Sequence, residues 1–190
     1  MSLLAAGLGN PGPRYLETRH NVGFRALEEL GVRLRKPWCN QFEYGVYDAG
    51  AVRIGLLRPL TYMNRSGRAV ARAVMLSGLE PSQVVVACDN LDLEAGLVRV
   101  KRGGSSAGHN GLKSIIEILG SEEFVRVYIG IGRPQPGQSV VEHVLGVPEQ
   151  DEAERVQRAC VRAAQAIVRL AEADLSQVMN EFNTRLPGGN

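Results

Sequence analysis

The sequence predicts an α/β fold: a single domain over residues 1–190, with a twisted mixed β-sheet and helices on both of its faces. Three observations carry that expectation. Short runs rich in Val, Ile and Leu alternate along the chain with segments of helical period, the pattern of a sheet layered between helices. Two of the strand-like runs, residues 42–48 and 51–57, are joined by a turn-forming stretch, so one antiparallel pair enters the sheet early. The 190 residues are 44% hydrophobic and 22% charged, enough apolar material for one sizeable core and no reason to divide it.

In chain order, LLAA at residues 3–6 is short and wholly apolar, suited to a buried strand. Residues 18–30 read as a helix, with Val22, Ala26, Leu27 and Leu30 at helical spacing and Gly31 as its stop. The hairpin follows. Residues 65–76 form the next helix, ended by Gly78, and VVVACD (84–89) is a continuous apolar strand closing on Asp89. Residues 97–101 alternate as a strand does, GGSSAG (103–108) is a loop, and 109–119 is a helix ended by Gly120. VRVYIGIG (125–132) is a further buried strand before the turn-rich RPQPGQ. Residues 151–172 make a long helix whose apolar face is Val156, Ala159, Cys160, Ala163, Ile167 and Leu170, within a helical C-terminal part over 149–184. No internal repeat is visible.

No apolar run approaches the ~18 residues that a bilayer span needs. The N-terminus has no charged stretch leading into a continuous apolar segment, so the expected setting is the cytoplasm. Cys39, Cys88 and Cys160 are odd in number and widely spaced, which fits reduced structural thiols and offers no C-x-x-C zinc pair. Net charge is only +2, so nucleic-acid binding has to rest on local arrangement. Arg99, Lys101 and Arg102 lie together beside the glycine-rich loop, a pattern that suits a small basic patch and a solvated strand end equally.

In α/β sheets of this kind, ligands bind beyond the carboxyl ends of the strands. That rule brings Asn10, Asp89, Asn110, His20 and Asn64 to one edge. Three motif matches nearby fail on context. GLGNPG (7–12) spells G-x-G-x-x-G, but Pro11 and Pro13 hold the chain in a loop and Glu28 and Glu29 fall inside a helix, so a dinucleotide site is not expected. What remains is Asn10, an amide fixed between Gly9 and Pro11, either a turn-former or a presented polar group. GSSAG (104–108) spells G-x-S-x-G around Ser106, yet a charged, doubly glycine segment precedes it, and a loop that folds over a ligand fits better than a nucleophile elbow. GGSSAGHNG lacks the lysine and hydroxyl of a phosphate-binding loop, although amides at the next helix N-terminus remain available to an anion or a carbonyl. His20, His109 and His143 show no metal-ligand spacing, and no metal is expected.

The residues at that edge suit hydrolysis. A neutral imidazole takes a proton from water, and a carboxylate on its other nitrogen fixes the tautomer and stabilises the cation. Such base catalysis contributes roughly 10²- to 10⁴-fold. Amide donors facing a developing oxyanion add roughly 10²- to 10³-fold each. With no evident covalent nucleophile, the attacking group is water, and an ester suits it better than an amide because an alkoxide is the better leaving group.

GLGNPGPRYLETRHNVGF, RPLTYMNRSG, the LDL of DNLDL, and GHNGLKSI followed by RVYIGIGRP together resemble bacterial peptidyl-tRNA hydrolase, from about residue 3 to residue 145. The resemblance implies that family's fold and cleavage of the ester between a peptide and the tRNA 3′ ribose, recycling tRNA released from stalled ribosomes. It implies His20 as the catalytic base, Asp89 as the acid that orients it, and Asn10 as an active-site residue near the scissile bond. Asn64 and Asn110 match amides that hold the peptide main chain and help place water. Tyr15, Tyr62, Met63 and His109 match substrate-pocket or lid positions, with a mobile lid near 103–110. Arg99 and Lys101 fall where the family meets tRNA, joined by Arg126 and Arg133, so the implied partner is the acceptor stem and 3′ end of peptidyl-tRNA. No metal or organic cofactor, no membrane and no obligate protein partner is implied, and the family is usually monomeric. Two departures bear on rate and lid closure: Cys88-Asp89-Asn90 stands where the family commonly has His-Asp-Glu, and GGSSAG replaces a commoner lid with a bulkier one. Two other readings stay open at this level, a noncatalytic RNA-binding relative of the same fold and an acyl hydrolase built on Ser106.

Overall fold

The computed structural model describes residues 2–38 and 41–183. Its centre is the short apolar run near the N-terminus. β1 (Leu3–Gly7) is buried along its whole length because strands flank it on both sides. It pairs in parallel with β3 (Arg53–Pro59) and β4 (Val84–Asn90), and β6 (Val125–Gly130) adds in parallel to β4. β2 (Phe42–Asp48) and β5 (Val98–Arg102) run antiparallel to β3 and β6 and form the two edges. The order is β2-β3-β1-β4-β6-β5.

The period-two alternation of the strands sorts their side chains between two cores. Leu3, Ala5, Val85, Ala87, Val127 and Ile129 face α1 (Val22–Glu28), α5 (Gln150–Glu172) and α6 (Leu175–Phe182). Leu4, Ala6, Val84, Val86, Cys88 and Tyr128 face α2 (Ser66–Ser77) and α3 (Asn110–Leu119). This is the expected mixed sheet with helices on both faces.

Several boundaries differ from the sequence reading. The first helix is two elements: a 3-10 turn at Arg19–Asn21, then α1, separated by Asn21 at φ −98°, ψ 10°. A second 3-10 turn, Met63–Arg65, precedes α2. The hairpin turn takes residues 49–52, so β3 starts two residues later than expected; Ala49 N–H donates to Val52 O (3.0 Å) and Gly50 sits at φ 77°. The strand expected at 97–101 is β5, shifted by one residue. One helix, α4 (Val140–Leu145), was not read at all. Its signal was present as a capping box, in which Ser139 Oγ accepts from Glu142 N–H (3.2 Å) and Glu142 Oε2 from Ser139 N–H (2.9 Å). The helical C-terminal part divides at the extended Ala173, which lets α6 fold back against β5, where Asn183 exchanges two hydrogen bonds with the Val100 backbone (2.7 and 3.0 Å). Residue 184 of that expected part lies outside the described residues. Cys88 and Cys160 are buried free thiols, and burial pushes Cys160 up to about 12. Cys39 lies outside the described residues.

α1 crosses β4 and the residue that follows β1 at close backbone range. A Cβ on Gly23 in α1 would lie 2.3 Å from Ala87 O, 2.4 Å from Leu8 N and 2.6 Å from Leu8 O. All three are backbone atoms, so no side chain can move aside. Gly23→Ala is therefore expected to destabilise the fold by about 1–3 kcal/mol or more. The check is a urea unfolding midpoint, and an unchanged midpoint would contradict the close packing.

Candidate active site

The 3-10 turn Arg19–Asn21 stands at the carboxyl edge of the sheet, beside the ends of β1 and β4. Its three successive side chains take three directions. His20 turns to β4, where its Nδ1 lies 2.7 Å from Asp89 Oδ1. The two side chains are 11% and 3% exposed. A carboxylate facing Nδ1 keeps the proton on that nitrogen and leaves Nε2 as the proton acceptor.

A second imidazole meets the same oxygen. His109 caps α3, its Nδ1 accepting from Gly111 N–H (3.1 Å) and Leu112 N–H (3.2 Å). An accepting Nδ1 carries no proton, so the proton is on Nε2, which lies 3.1 Å from Asp89 Oδ1. One carboxylate oxygen thus receives two imidazole N–H groups, with the ring centroids 5.2 Å apart. Burial alone would raise the Asp89 pKa, but the attraction and hydrogen bonds of the two rings outweigh it and hold the acid well below the usual carboxylate range. Burial likewise works against protonated His20, and the Asp89 charge and hydrogen bond outweigh it, raising His20 above the ordinary 6.5. The three donor groups lie within 4.8 Å of one another, close enough to hold a metal ion, a proximity that sequence spacing concealed. Both ring nitrogens that face Asp89 carry protons in the hydrogen-bond pattern above, and a metal would have to displace them.

Asn10 is held by Asn21, the third side chain of the turn. Asn21 Oδ1 accepts from Asn10 N–H (2.8 Å) and its Nδ2 donates to Asn10 O (2.9 Å). The Asn10 side-chain oxygen accepts from Met63 N–H (2.8 Å), so the group left to donate outward is its Nδ2. The glycines of GLGNPG serve packing: a Cβ on Gly9 would meet the Phe24 ring at 2.8 Å, and one on Gly7 would meet Gly23 O at 2.2 Å. Gly12, third in the spacing, leads into a 3-10 turn at Pro13–Tyr15 and not into an α-helix, which removes the dinucleotide reading.

Met63 packs its sulfur over Gly111, where a Cβ would lie 2.6 Å away. That contact brings the turn bearing Asn64 against the start of α3, which is Asn110. Both asparagines are exposed, as is Tyr62. Tyr15 is half-buried, with the Arg14 guanidinium 4.5 Å from its ring centroid. Cys88 faces the α2–α3 core, and Asn90 Oδ1 accepts from Asp92 N–H (2.8 Å), so neither neighbour of Asp89 bonds to His20.

The four basic residues are not alike. Arg99 and Lys101 are exposed on edge strand β5, opposite Tyr128 and Arg126 in register. Arg133 is exposed and paired with Asp92. Arg126 differs from the expected tRNA contact: it is 1% exposed, and its guanidinium donates to Ser105 O (2.7 Å), Gly104 O and Tyr128 Oη (3.3 Å). A buried side chain spent on loop carbonyls supports the 103–109 segment and is not offered to a phosphate. In that segment Ala107 holds φ 46°, while Ser106 does not adopt the strained positive φ. His143, the only base in suitable order for Ser106, has Nε2 against Ile131 O (3.2 Å) and Gly132 O (3.1 Å). The nucleophile elbow therefore has neither its backbone nor its partner.

Sequence reasoning missed Arg19 and Asn21. Both stand inside TRHN, flanking the histidine, and each makes a paired hydrogen bond that only the fold reveals.

A family model described as peptidyl-tRNA hydrolase matches residues 4–188. The chain belongs to the peptidyl-tRNA hydrolase family. The peptidyl-tRNA hydrolase of Geobacillus kaustophilus is 43% identical over 95% of this chain and 98% of its own. That of Symbiobacterium thermophilum is 44% identical over 97% and 100%. The crystal structure of peptidyl-tRNA hydrolase from Acinetobacter baumannii superposes with a TM-score of 0.91 at 36% identity, covering 99% of this chain and 98% of that one. The six-stranded sheet is thus the peptidyl-tRNA hydrolase fold, and the chain is an ester hydrolase. No described helix is long and apolar enough to cross a membrane.

Proposed function

We propose that the chain cleaves the ester between a peptide and the tRNA 3′ ribose with a water molecule activated by His20. The observation that carries this reading is the His20–Asp89 bond of 2.7 Å, which leaves Nε2 as the proton acceptor. Nε2 takes a proton from water, and the hydroxide adds to the ester carbonyl. Asn10 Nδ2 meets the resulting oxyanion, and Asn64 and Asn110 hold the peptide main chain and the water. The intermediate collapses as the imidazolium returns its proton to the departing ribose oxygen. Tyr15, Tyr62, Met63 and His109 line the peptide pocket, and residues 103–110 close over it. No cofactor enters this scheme. In the cell the protein works as a cytoplasmic monomer that recycles tRNA from prematurely released peptidyl-tRNA.

The test is turnover of N-blocked aminoacyl-tRNA against short unblocked peptides. Rapid cleavage of the first alone is expected, and similar rates on both would overturn the ester assignment. Ser106→Ala is expected to keep full turnover, and a serine-directed phosphonylating probe to leave the enzyme active; inactivation by the probe would restore the acyl-enzyme reading.

Arg99 and Lys101 face solvent on one side of an edge strand, next to the 103–109 loop, which supports contact with the acceptor stem. Arg99→Ala with Lys101→Ala is expected to weaken tRNA binding and to flatten the slope of log K against log salt by about 1 per lost phosphate contact, with kcat little changed. Filter binding across a salt series measures it, and an unaltered slope would remove these two residues from the interface.

A further inference from the structure

We infer that Arg19 and Glu152 are positioning residues for the base, so that helix α5 sets the aim of His20 without touching substrate. The inference rests on the proposed role of His20. The carrier of the imidazole is a single 3-10 turn of three residues, an element with little stability of its own. Apart from the His20–Asp89 bond itself, its side-chain hold on the rest of the molecule is made by the residues on either side of His20. Asn21 ties the turn to Asn10. Arg19 ties it in the other direction, with Nε donating to Glu152 Oε1 (2.6 Å), Nη2 to Glu152 Oε2 (2.6 Å) and Nη1 to His143 O (3.3 Å). Its backbone N–H adds a bond to Gly146 O (3.1 Å).

This is a two-pronged guanidinium–carboxylate pair, the geometry in which an ion pair gives direction as well as attraction. The side chains are only 10% and 19% exposed, so water competes weakly for either group. Glu152 lies in the first turn of α5, where a carboxylate also suits the helix dipole. The remainder of α5 packs against the sheet through Val156, Ala159, Cys160 and Ala163, which gives the carboxylate a rigid base. The turn is therefore stretched between two fixed points, Glu152 and the Asn10 backbone, with His20 in the middle. Loosening one point lets the ring swing against a 2.7 Å bond to Asp89, and displacements of about 1 Å at a catalytic group cost up to about 10²-fold in rate.

The experiment is a double-mutant cycle on the full chain with Glu152→Gln, Arg19→Met and the pair, assayed on N-blocked aminoacyl-tRNA well below the melting temperature. Val178→Ala, a truncation of a buried side chain in α6, serves as a destabilised control. Each single variant is expected to lose about 5- to 50-fold in kcat with KM nearly constant. The double variant should lose no more than the worse single one, because both act through one link. The 15N signals of the His20 ring should shift in all three and stay fixed in Val178→Ala. If Arg19→Met fails to fold, Arg19→Lys, which keeps the charge but not the fork, completes the cycle. Multiplicative losses in the pair, a rise in KM with kcat intact, or a kcat loss no greater than the control's would each overturn the inference. His20→Ala runs in the same assay: retained turnover there would refute the base, whereas its loss beside an unaffected Glu152→Gln would refute only the positioning role.

Discussion

His20→Ala is expected to lower kcat on N-blocked aminoacyl-tRNA by about 10²- to 10⁴-fold, with tRNA affinity nearly unchanged. The size follows from the role, since the base is asked for one proton transfer and nothing in the site replaces it. His109 is near, but its Nδ1 is occupied by the amides of Gly111 and Leu112 and its Nε2 proton by Asp89. His143 is engaged with backbone carbonyls. Affinity is expected to survive because the basic residues proposed to meet tRNA, Arg99 and Lys101, lie on β5 and the asparagines on other elements. Combining His20→Ala with Asp89→Asn should cost little beyond His20→Ala alone, because Asp89 acts through the imidazole. Single-turnover rates and filter binding on one preparation separate the two quantities. Normal turnover in the His20 variant would rule out the base assignment.

The candidate site was legible to the extent that its groups are single residues at strand ends. Asn10 after β1 and Asp89 at the end of β4 follow from where apolar runs stop, and the rule that ligands gather at the carboxyl edge brings them together. His20 followed less directly, since the helix expected at 18–30 would have placed it on a regular helical face. The 3-10 turn arises from tertiary bonds at Arg19 and Asn21, whose partners, Glu152 and Asn10, lie 133 and 11 residues away, so no local pattern encodes them. Arg126 shows the opposite failure. In VRVYIGIG it reads as a charge on a strand, and period two cannot say whether an arginine faces water or lies beneath a loop. The arrival of His109 as a second imidazole at Asp89 was likewise hidden, since metal-like spacing is sought within one helix or loop and His20, Asp89 and His109 come from a turn, a strand and a helix cap. The 3.6- and 2-residue periods recovered the layers because burial is decided locally by face, whereas the site is a set of long-range pairs.

Asp89→Asn is the second change with a large expected effect, a loss of about 10²- to 10⁴-fold in kcat, and it is the more informative because it also moves the pH profile in a defined direction. In the proposed mechanism the rate requires neutral Nε2, so activity is expected to fall as pH drops through the His20 pKa. That pKa is raised above 6.5, since the Asp89 charge and hydrogen bond outweigh burial. The acid limb of kcat/KM, which reports the free enzyme, therefore stands at higher pH than for an ordinary histidine. An amide at position 89 removes the attraction and leaves the burial, which disfavours imidazolium. The His20 pKa must then fall and the acid limb move to lower pH, even as the rate drops because the imidazolium formed during water attack is no longer stabilised. A merely structural role for Asp89 would lower the rate and leave the limb in place. Profiles of kcat/KM against pH for the two proteins, on a substrate whose ester is stable over the range, distinguish these outcomes: a limb shifted downward supports a carboxylate acting on the base, and an unshifted one would sever Asp89 from the chemistry.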